Sequence, residues 1–486
     1  MKAEGAPAAC FGFYIDRPCR LTRDFDVESA KGRRNLTELY FDQSNCSEFT
    51  EFVKSCCAPA TSVIKSWLDA GAACHLSISG TFLEQLMSWE PEVFEELVEL
   101  ARHPGCEILG QTYYRSVSGL FSDLEEFSSQ VAMHRDLMDE CFGVRPDVYA
   151  NPEFLYSCRI ARALGDLGFR AAYTHSIPGS QDVNKNLAYN VGGLTTLVWN
   201  CTLSDDIAVR LPEPKWDQQP LSPEKYAGWL CDSPGDCIHL IVDLAALATK
   251  NHNHTTIPDF LKKLPEALRE RNIRTILPSE AAATMPVHEL APEAACSLDA
   301  TPEPSDWMSS IMQHCALFSI EHAKDRMIDP TIWRHMQSVH HFQAMAMKSG
   351  SCGSISCTAS HQEVYEYFAN YMRMLSHMEE RAAPHLPSRK AAKTLRCLPP
   401  EKAFHFWIAD RPIGISAHSL EEFASTLDYI PDASFAYHQE RGDFSRWFEE
   451  VLEDELLARE TAGCTSRDAL QEQVMARTQV LCNRLS

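Results

Sequence analysis

Residues able to do acid–base chemistry recur at one kind of place in this sequence. Asp16 follows the apolar run Phe11–Ile15, and Gln111 follows Cys106–Leu109. Asn151 and Glu153 follow Val148–Ala150, Asp205 and Asp206 lie just beyond Trp199, and Asp243 closes Ile238–Val242. A carboxylate directly after an apolar run either caps and lines a loop or faces a ligand. Carboxylates in pairs move protons or attack an electrophile. Other chemistries find little support. His252 and His254, in Asn-His-Asn-His, lack a third ligand at close spacing, so no metal is expected. Gly80 and Gly110 are isolated glycines rather than parts of a phosphate-cradling loop, and no Gly-x-Ser-x-Gly occurs, so no cofactor is expected.

Placing these residues falls to an alternation of strands and helices. Apolar runs at Phe11–Ile15, Cys74–Ile78, Cys106–Leu109, Val148–Ala150, Phe169–Tyr173, Thr196–Trp199, Ile238–Val242 and Ile273–Leu277 are separated by amphipathic stretches such as Pro91–Ala101 and Asp123–Cys141. Alternation repeated this often argues for a parallel α/β sheet. Seven or eight such units favour a closed barrel, whose reactive groups gather at the C-terminal ends of its strands. From about Ser305 the pattern turns helical. Val364, Phe368, Tyr371, Leu375 and Met378 step by four and three, which makes one core-facing stripe. Pro384–Lys393 reads as a basic linker. A small α+β module follows, with strand-like runs at Ala403–Ile408 and Ile413–Ala417, an acidic helix Phe444–Ala462, Gly463 as a stop, and a last helix Arg467–Leu485. The expected divisions are 1–285 for the barrel, 286–385 for a helical subdomain and 396–486 for the module.

Several longer motifs occur in one order: Ser77–Leu86 (SISGTFLEQL), Ile108–Val117 (ILGQTYYRSV), Gln130–Arg135 (QVAMHR), Phe142–Tyr156 (FGVRPDVYANPEFLY), Leu203–Leu211 (LSDDIAVRL) and Gly235–Leu244 (GDCIHLIVDL). Together they resemble the α-amylase branch of glycoside hydrolase family 57 and its catalytically degenerate relatives, over about residues 11–320. The resemblance implies an α/β fold, an incomplete (β/α)7 barrel followed by a helical subdomain, and action on α-glucans with retention. It places Asp243 at the acid/base position and residue 111 at the nucleophile position. Asp16, Tyr113, Tyr114, Arg115, Glu153, Trp199, Lys250 and Asp299 fall where substrate is held or near it. Tyr113, Tyr114 and Trp199 could stack on the apolar faces of sugar rings.

The departures from the family pattern carry the functional expectation. Where the family has GETYYHS, this chain reads Gly110-Gln111-Thr112-Tyr113-Tyr114-Arg115-Ser116. The nucleophilic glutamate is therefore glutamine and the following histidine is arginine. Ala245, Thr249 and Lys250 replace two glutamates and a histidine beyond Asp243; the early HQP motif is Asp16-Arg17-Pro18, and the late WAD-like motif is Ser297-Leu298-Asp299. Retaining glycoside hydrolysis needs two carboxylates about 5–5.5 Å apart. A neutral amide neither attacks the anomeric carbon well nor stabilises its developing charge. The expected function is that of an α-glucan-directed protein of impaired activity. Two alternatives stay open: a residual hydrolase or 4-α-glucanotransferase that uses Asp243 with another carboxylate such as Asp16, and an interaction scaffold. The scaffold would act through the C-terminal module, which resembles a small domain of unknown function, most specifically over Phe435–Trp447. His438, Glu440, Arg441 and Asp443 within it read as a capping and ion-pair network.

Composition narrows the partners. A net charge of −23 disfavours nucleic acid. Arg17, Arg115 and Lys250, gained at motif positions, raise the alternative of an anionic glycan. The 19 cysteines are scattered without a Cys-x-x-Cys, and no stretch of 18 apolar residues or signal-like leader occurs. The expected setting is the cytoplasm, with reduced thiols and no membrane contact.

Overall fold

A computed structural model describes residues 7–30, 35–150, 156–175, 177, 183–248, 256–290, 308–347 and 360–485. The chain divides into two compact units, one built from residues 1–19, 43–306 and 349–356 and the other from 20–42, 307–348 and 357–486.

The first unit holds strands β1 (Ala8–Ile15), β2 (Cys74–Ile78), β3 (Cys106–Leu109), β4 (Val148–Ala150), β5 (Ala171–Thr174), β6 (Ala188–Val191), β7 (Leu194–Val198), β8 (Cys237–Asp243) and β9 (Val287–Glu289). They form two sheets, ordered β3-β2-β1-β8 and β4-β5-β7-β6-β9. A parallel bridge between Gly110 and Tyr149 joins β3 to β4. The Asn200 N–H donates to the His239 carbonyl at 2.9 Å and draws the end of β7 to β8. The parallel strands therefore run β8, β1, β2, β3, β4, β5, β7 in an incomplete (β/α)7 barrel. The period-2 alternation of β1 shows why it forms. Phe11, Phe13 and Ile15 join the core shared with the surrounding helices, with the Phe11 ring 4.5 Å from Trp67. Each such side chain contributes about 1.5–3 kcal/mol by burial. Cys10, Gly12 and Tyr14 take the opposite face. Gly12 must lack a side chain, because a Cβ there would lie 2.1 Å from Nε2 of His75.

Sequence and structure differ in three places in this unit. Ile273–Leu277 is not a strand: only Thr275 bridges to Ala9. β2 pairs with β1 only from Gly12 onward, and on the edge left before it Thr275 meets Ala9 as a lone bridge. Strand β6 was not foreseen. It turns back on β7 through Gly192 and Gly193, at φ of 60° and 88°, which is ordinary hairpin chemistry. Nor was β9, whose residues are exposed.

In the second unit, helix His361–Ala382 starts with a capping box between Ser360 and Glu363 and buries Val364, Phe368, Tyr371, Leu375 and Met378, as the stripe requires. The segment Pro384–Lys393 is not a linker. Ser388 caps helix Arg389–Leu395, whose Ala391 and Leu395 pack into one core with Leu398, Phe404 and Phe423 while Arg389 and Lys390 stay exposed. The basic residues that suggested a linker are the solvent face of that helix. Strands β10 (Phe404–Ile408) and β11 (Arg411–Ala417) pair antiparallel. The acidic helix is broken into Asp443–Glu450 and Glu455–Thr461, and the last helix is Arg467–Cys482. Among the described residues no helix is long and apolar enough to cross a membrane.

Candidate active site

The segment after β3 is pinned by its backbone. The Arg115 N–H returns to the Thr112 carbonyl at 3.0 Å, and the N–H groups of Gly80 and Thr81 both point at the Tyr113 carbonyl, at 2.9 and 3.4 Å. This approach needs Gly80, since a Cβ there would meet the Tyr113 ring at 2.7 Å. Arg115 is held at φ 47°, a left-handed conformation costing a non-glycine residue about 1 kcal/mol. Strain of this kind tends to collect at functional sites.

Gln111 opens this segment and is 1% exposed. Neither its Oε1 nor its Nε2 has a hydrogen-bond partner among the described residues. An unsatisfied buried polar group costs about 1–3 kcal/mol.

Asp16, Ser79, Arg115 and Tyr14 form a connected set. Ser79 caps helix Gly80–Trp89 by accepting the Phe82 N–H at 3.1 Å, and its hydroxyl donates to Oδ1 of Asp16. Arg115 Nη1 lies 3.4 Å from Oδ2 of the same carboxylate, and the guanidinium sits 4.2 Å above the Tyr14 ring. The side chains of Arg115 and Asp16 are only 11% and 3% exposed. Tyr14 is in turn the register partner of Asp243 across β1 and β8. Asp243 differs from the others in being exposed, and its Oδ1 accepts the Ala245 N–H at 2.8 Å.

The structure thus brings Asp16 and Arg115 together and sets them one strand from Asp243. Tyr113 and Tyr114 are buried with ring centroids 4.8 Å apart. The Tyr113 hydroxyl donates to Glu84 at 2.6 Å. Burial pushes the Glu84 carboxyl up, and the bond from Tyr113 opposes it. Trp199, at the end of β7, is part-exposed. Its Nε1 donates to Ser204 at 2.8 Å and its ring lies 6.2 Å from His175, which follows β5. Nearby, the Asp205 carboxyl is pushed up to about 6, chiefly by burial and then by Cys201. Asp206 is tied to Arg210 at 2.5 Å. Arg17 faces Glu48 at 3.6 Å and stacks on Phe52. Glu153, Lys250 and Asp299, with Asn151, Thr249, Ser297, Leu298, His252 and His254, lie outside the described residues.

Sequence reasoning passed over Ser79, Tyr14, Glu84 and His175. Ser79 had a readable signal, a serine directly before a helical run. Tyr14, Glu84 and His175 had none, because their roles come from register and packing.

Comparison with known proteins fits this geometry. The model of glycosyl hydrolase family 57 matches residues 10–298. A protein of Methanocaldococcus jannaschii named "Putative alpha-amylase" is 30% identical over 327 residues, which is 65% of this chain and 68% of that protein. Among solved structures, a branching enzyme of the same family from Thermococcus kodakaraensis, in complex with glucose, superposes with a TM-score of 0.53. It is 11% identical and covers 87% of this chain and 94% of its own. The chain spans 59% of a 4-alpha-glucanotransferase from Thermococcus litoralis, with 80% of this chain covered, 15% identity and a TM-score of 0.46. With a family match over more than half its length and the barrel that match requires, the chain belongs to glycosyl hydrolase family 57.

Proposed function

We propose that this chain is an α-glucan-directed family member whose hydrolytic step is disabled at residue 111. The observation that carries this reading is the Gln111 side chain, uncharged, 1% exposed and without a partner among the described residues, where the family motif has its nucleophile. Loss of such a group lowers turnover by on the order of 10³-fold or more. Asp16 does not replace it, because its oxygens are engaged by Ser79 and Arg115. The bound glucan is neutral: Arg17 and Arg115, which would welcome an anion, each face a carboxylate. Trp199, the part-exposed aromatic of the three, is the stacking surface. Cysteines that are all free thiols among the described residues support a reducing cytoplasm as the setting.

The test compares wild type, Gln111→Glu and Asp243→Asn on maltooligosaccharides, with products followed by chromatography and binding by calorimetry. Wild type binds and releases no product. Gln111→Glu alone stays inactive, because a carboxylate buried without partners is held neutral. Hydrolysis by wild type that Asp243→Asn abolishes overturns the reading. Tighter binding of a phosphorylated maltooligosaccharide overturns the neutral-ligand part of it.

A further inference from the structure

We propose that Cys10, Cys237 and His239 form a metal site inside the barrel that takes one thiophilic divalent ion, zinc foremost, and ties β1 to β8. The ligand atoms of the three residues all lie within 4.8 Å of one another. The Cys10 and Cys237 sulfurs are 3.7 Å apart. Two thiolates bound at about 2.3 Å to one tetrahedral zinc sit about 3.8 Å apart, so the pair already has the spacing of one edge of such a site. Register explains how residues so distant in sequence meet. Cys10 is the partner of His239, and Cys237 is two residues before His239 on the same face of β8.

The surroundings fit an ion as well. All three residues are buried, at 0%, 2% and 1% exposure. Nδ1 of His239 lies 2.9 Å from the Tyr173 hydroxyl, which fixes the ring and leaves Nε2 for a metal. A second, independent observation is His75. It is 1% exposed, its ring stacks on Tyr173 at 5.6 Å, and neither of its nitrogens has a partner among the described residues. Stacked on the same Tyr173 that holds His239, it is an imidazole left to fill a fourth position, directly or through a water. Two thiolates and a divalent ion sum to zero charge, the form a dry interior accepts most readily. The proton balance is simple: Cys10 and Cys237 release their protons to solvent as the ion binds.

The ion's role is structural. Cys10 lies six residues before Asp16, about 20 Å along an extended strand and away from the barrel mouth. The experiment uses the full chain, produced with zinc in the medium, purified under reducing conditions and assayed for metal by mass spectrometry, then refolded with Co²⁺. Wild type is expected to hold about one zinc per chain and, with Co²⁺, to show thiolate charge-transfer and tetrahedral d–d bands. Cys10→Ser and Cys237→Ser lose both, whereas Cys397→Ser, a buried thiol of the second unit, keeps them. Should the site variants fail to fold, unfolding of wild type decides: zinc but not magnesium raises its midpoint, and a chelator reverses the rise. Wild type without zinc and without cobalt–thiolate bands overturns the proposal. So does a Cys10–Cys237 disulfide in the reduced preparation, or bands that survive Cys10→Ser.

Discussion

Asp454 and Gln111 are buried almost equally, at 0% and 1% exposure, yet their surroundings are opposite. Asp454, in the second unit, caps helix Glu455–Thr461 and receives Nε and Nη2 of Arg477 at 2.7 and 2.9 Å. Gln111, in the barrel, has nothing on either amide atom among the described residues. The network foreseen around Asp443 follows the first pattern. His438 Nδ1 lies 2.9 Å from Asp443, Arg441 and Arg446 approach the same carboxylate, and Nε2 of His438 accepts the Trp407 N–H at 2.8 Å. A polar group kept for structure is enclosed by partners. One left bare at a family's catalytic position is a remnant of chemistry, or waits for a ligand.

The largest expected effect tests the enclosed side of this contrast. Asp454→Ala strands the Arg477 guanidinium in a dry core and lowers stability by about 3–5 kcal/mol in urea unfolding. The double substitution Asp454→Leu with Arg477→Met recovers most of that loss, because the desolvation penalty disappears with the charges. A loss below about 1 kcal/mol for Asp454→Ala breaks the comparison from this side.

The two residues were unequally legible in sequence. Gln111 stood out because it interrupts a motif, and the runs at 74–78, 106–109 and 148–150 coincide with β2, β3 and β4 to the residue. Period-2 patterning at a buried sheet leaves little freedom there. Asp454 sat unseen inside what read as one acidic helix, Phe444–Ala462, since periodicity does not show that a chain breaks to deliver a carboxylate to a distant arginine. The thiol and imidazole cluster was missed for a similar reason. Cys10 and Cys237 are far apart in sequence, and only strand register joins them. Cys237-x-His239 on a strand does place two ligands on one face, a weak signal that becomes meaningful once β1 is known to be its neighbour.

A smaller effect of opposite sign probes the bare side. Gln111→Met keeps the volume and removes two unsatisfied atoms, so stability rises by about 1 kcal/mol. Measured by the same unfolding experiment, a loss of similar size shows that the amide has a partner in solution. Paired with calorimetry, the substitution sharpens the contrast further. A more stable variant that binds maltooligosaccharide more weakly identifies the amide as a ligand contact rather than a relic.

The smallest effect comes from Asp205, which stands between the two extremes, half-buried and incompletely partnered. Its natural cation, Arg210, is bound to Asp206 at 2.5 Å, so burial wins and the Asp205 carboxyl rises from its ordinary 3.8 to about 6. The folded protein thus prefers Asp205 protonated. Its favourable contribution is full below about pH 4 and is lost as pH rises through 6. Solvent screening of a half-exposed group keeps the change small. His75 works in the other direction. Burial holds it down to about 3, so its contribution is present above the ordinary histidine range and is lost as pH falls from about 6.5 toward 3. Because the windows overlap, the wild-type curve alone does not separate them. The difference between wild type and Asp205→Asn does, since His75 is common to both. That difference should move against wild type between pH 4 and 6 and level off above. A flat difference would mean that Arg210 leaves Asp206 to satisfy Asp205, making this part of the barrel mouth as well partnered as the core around Asp454.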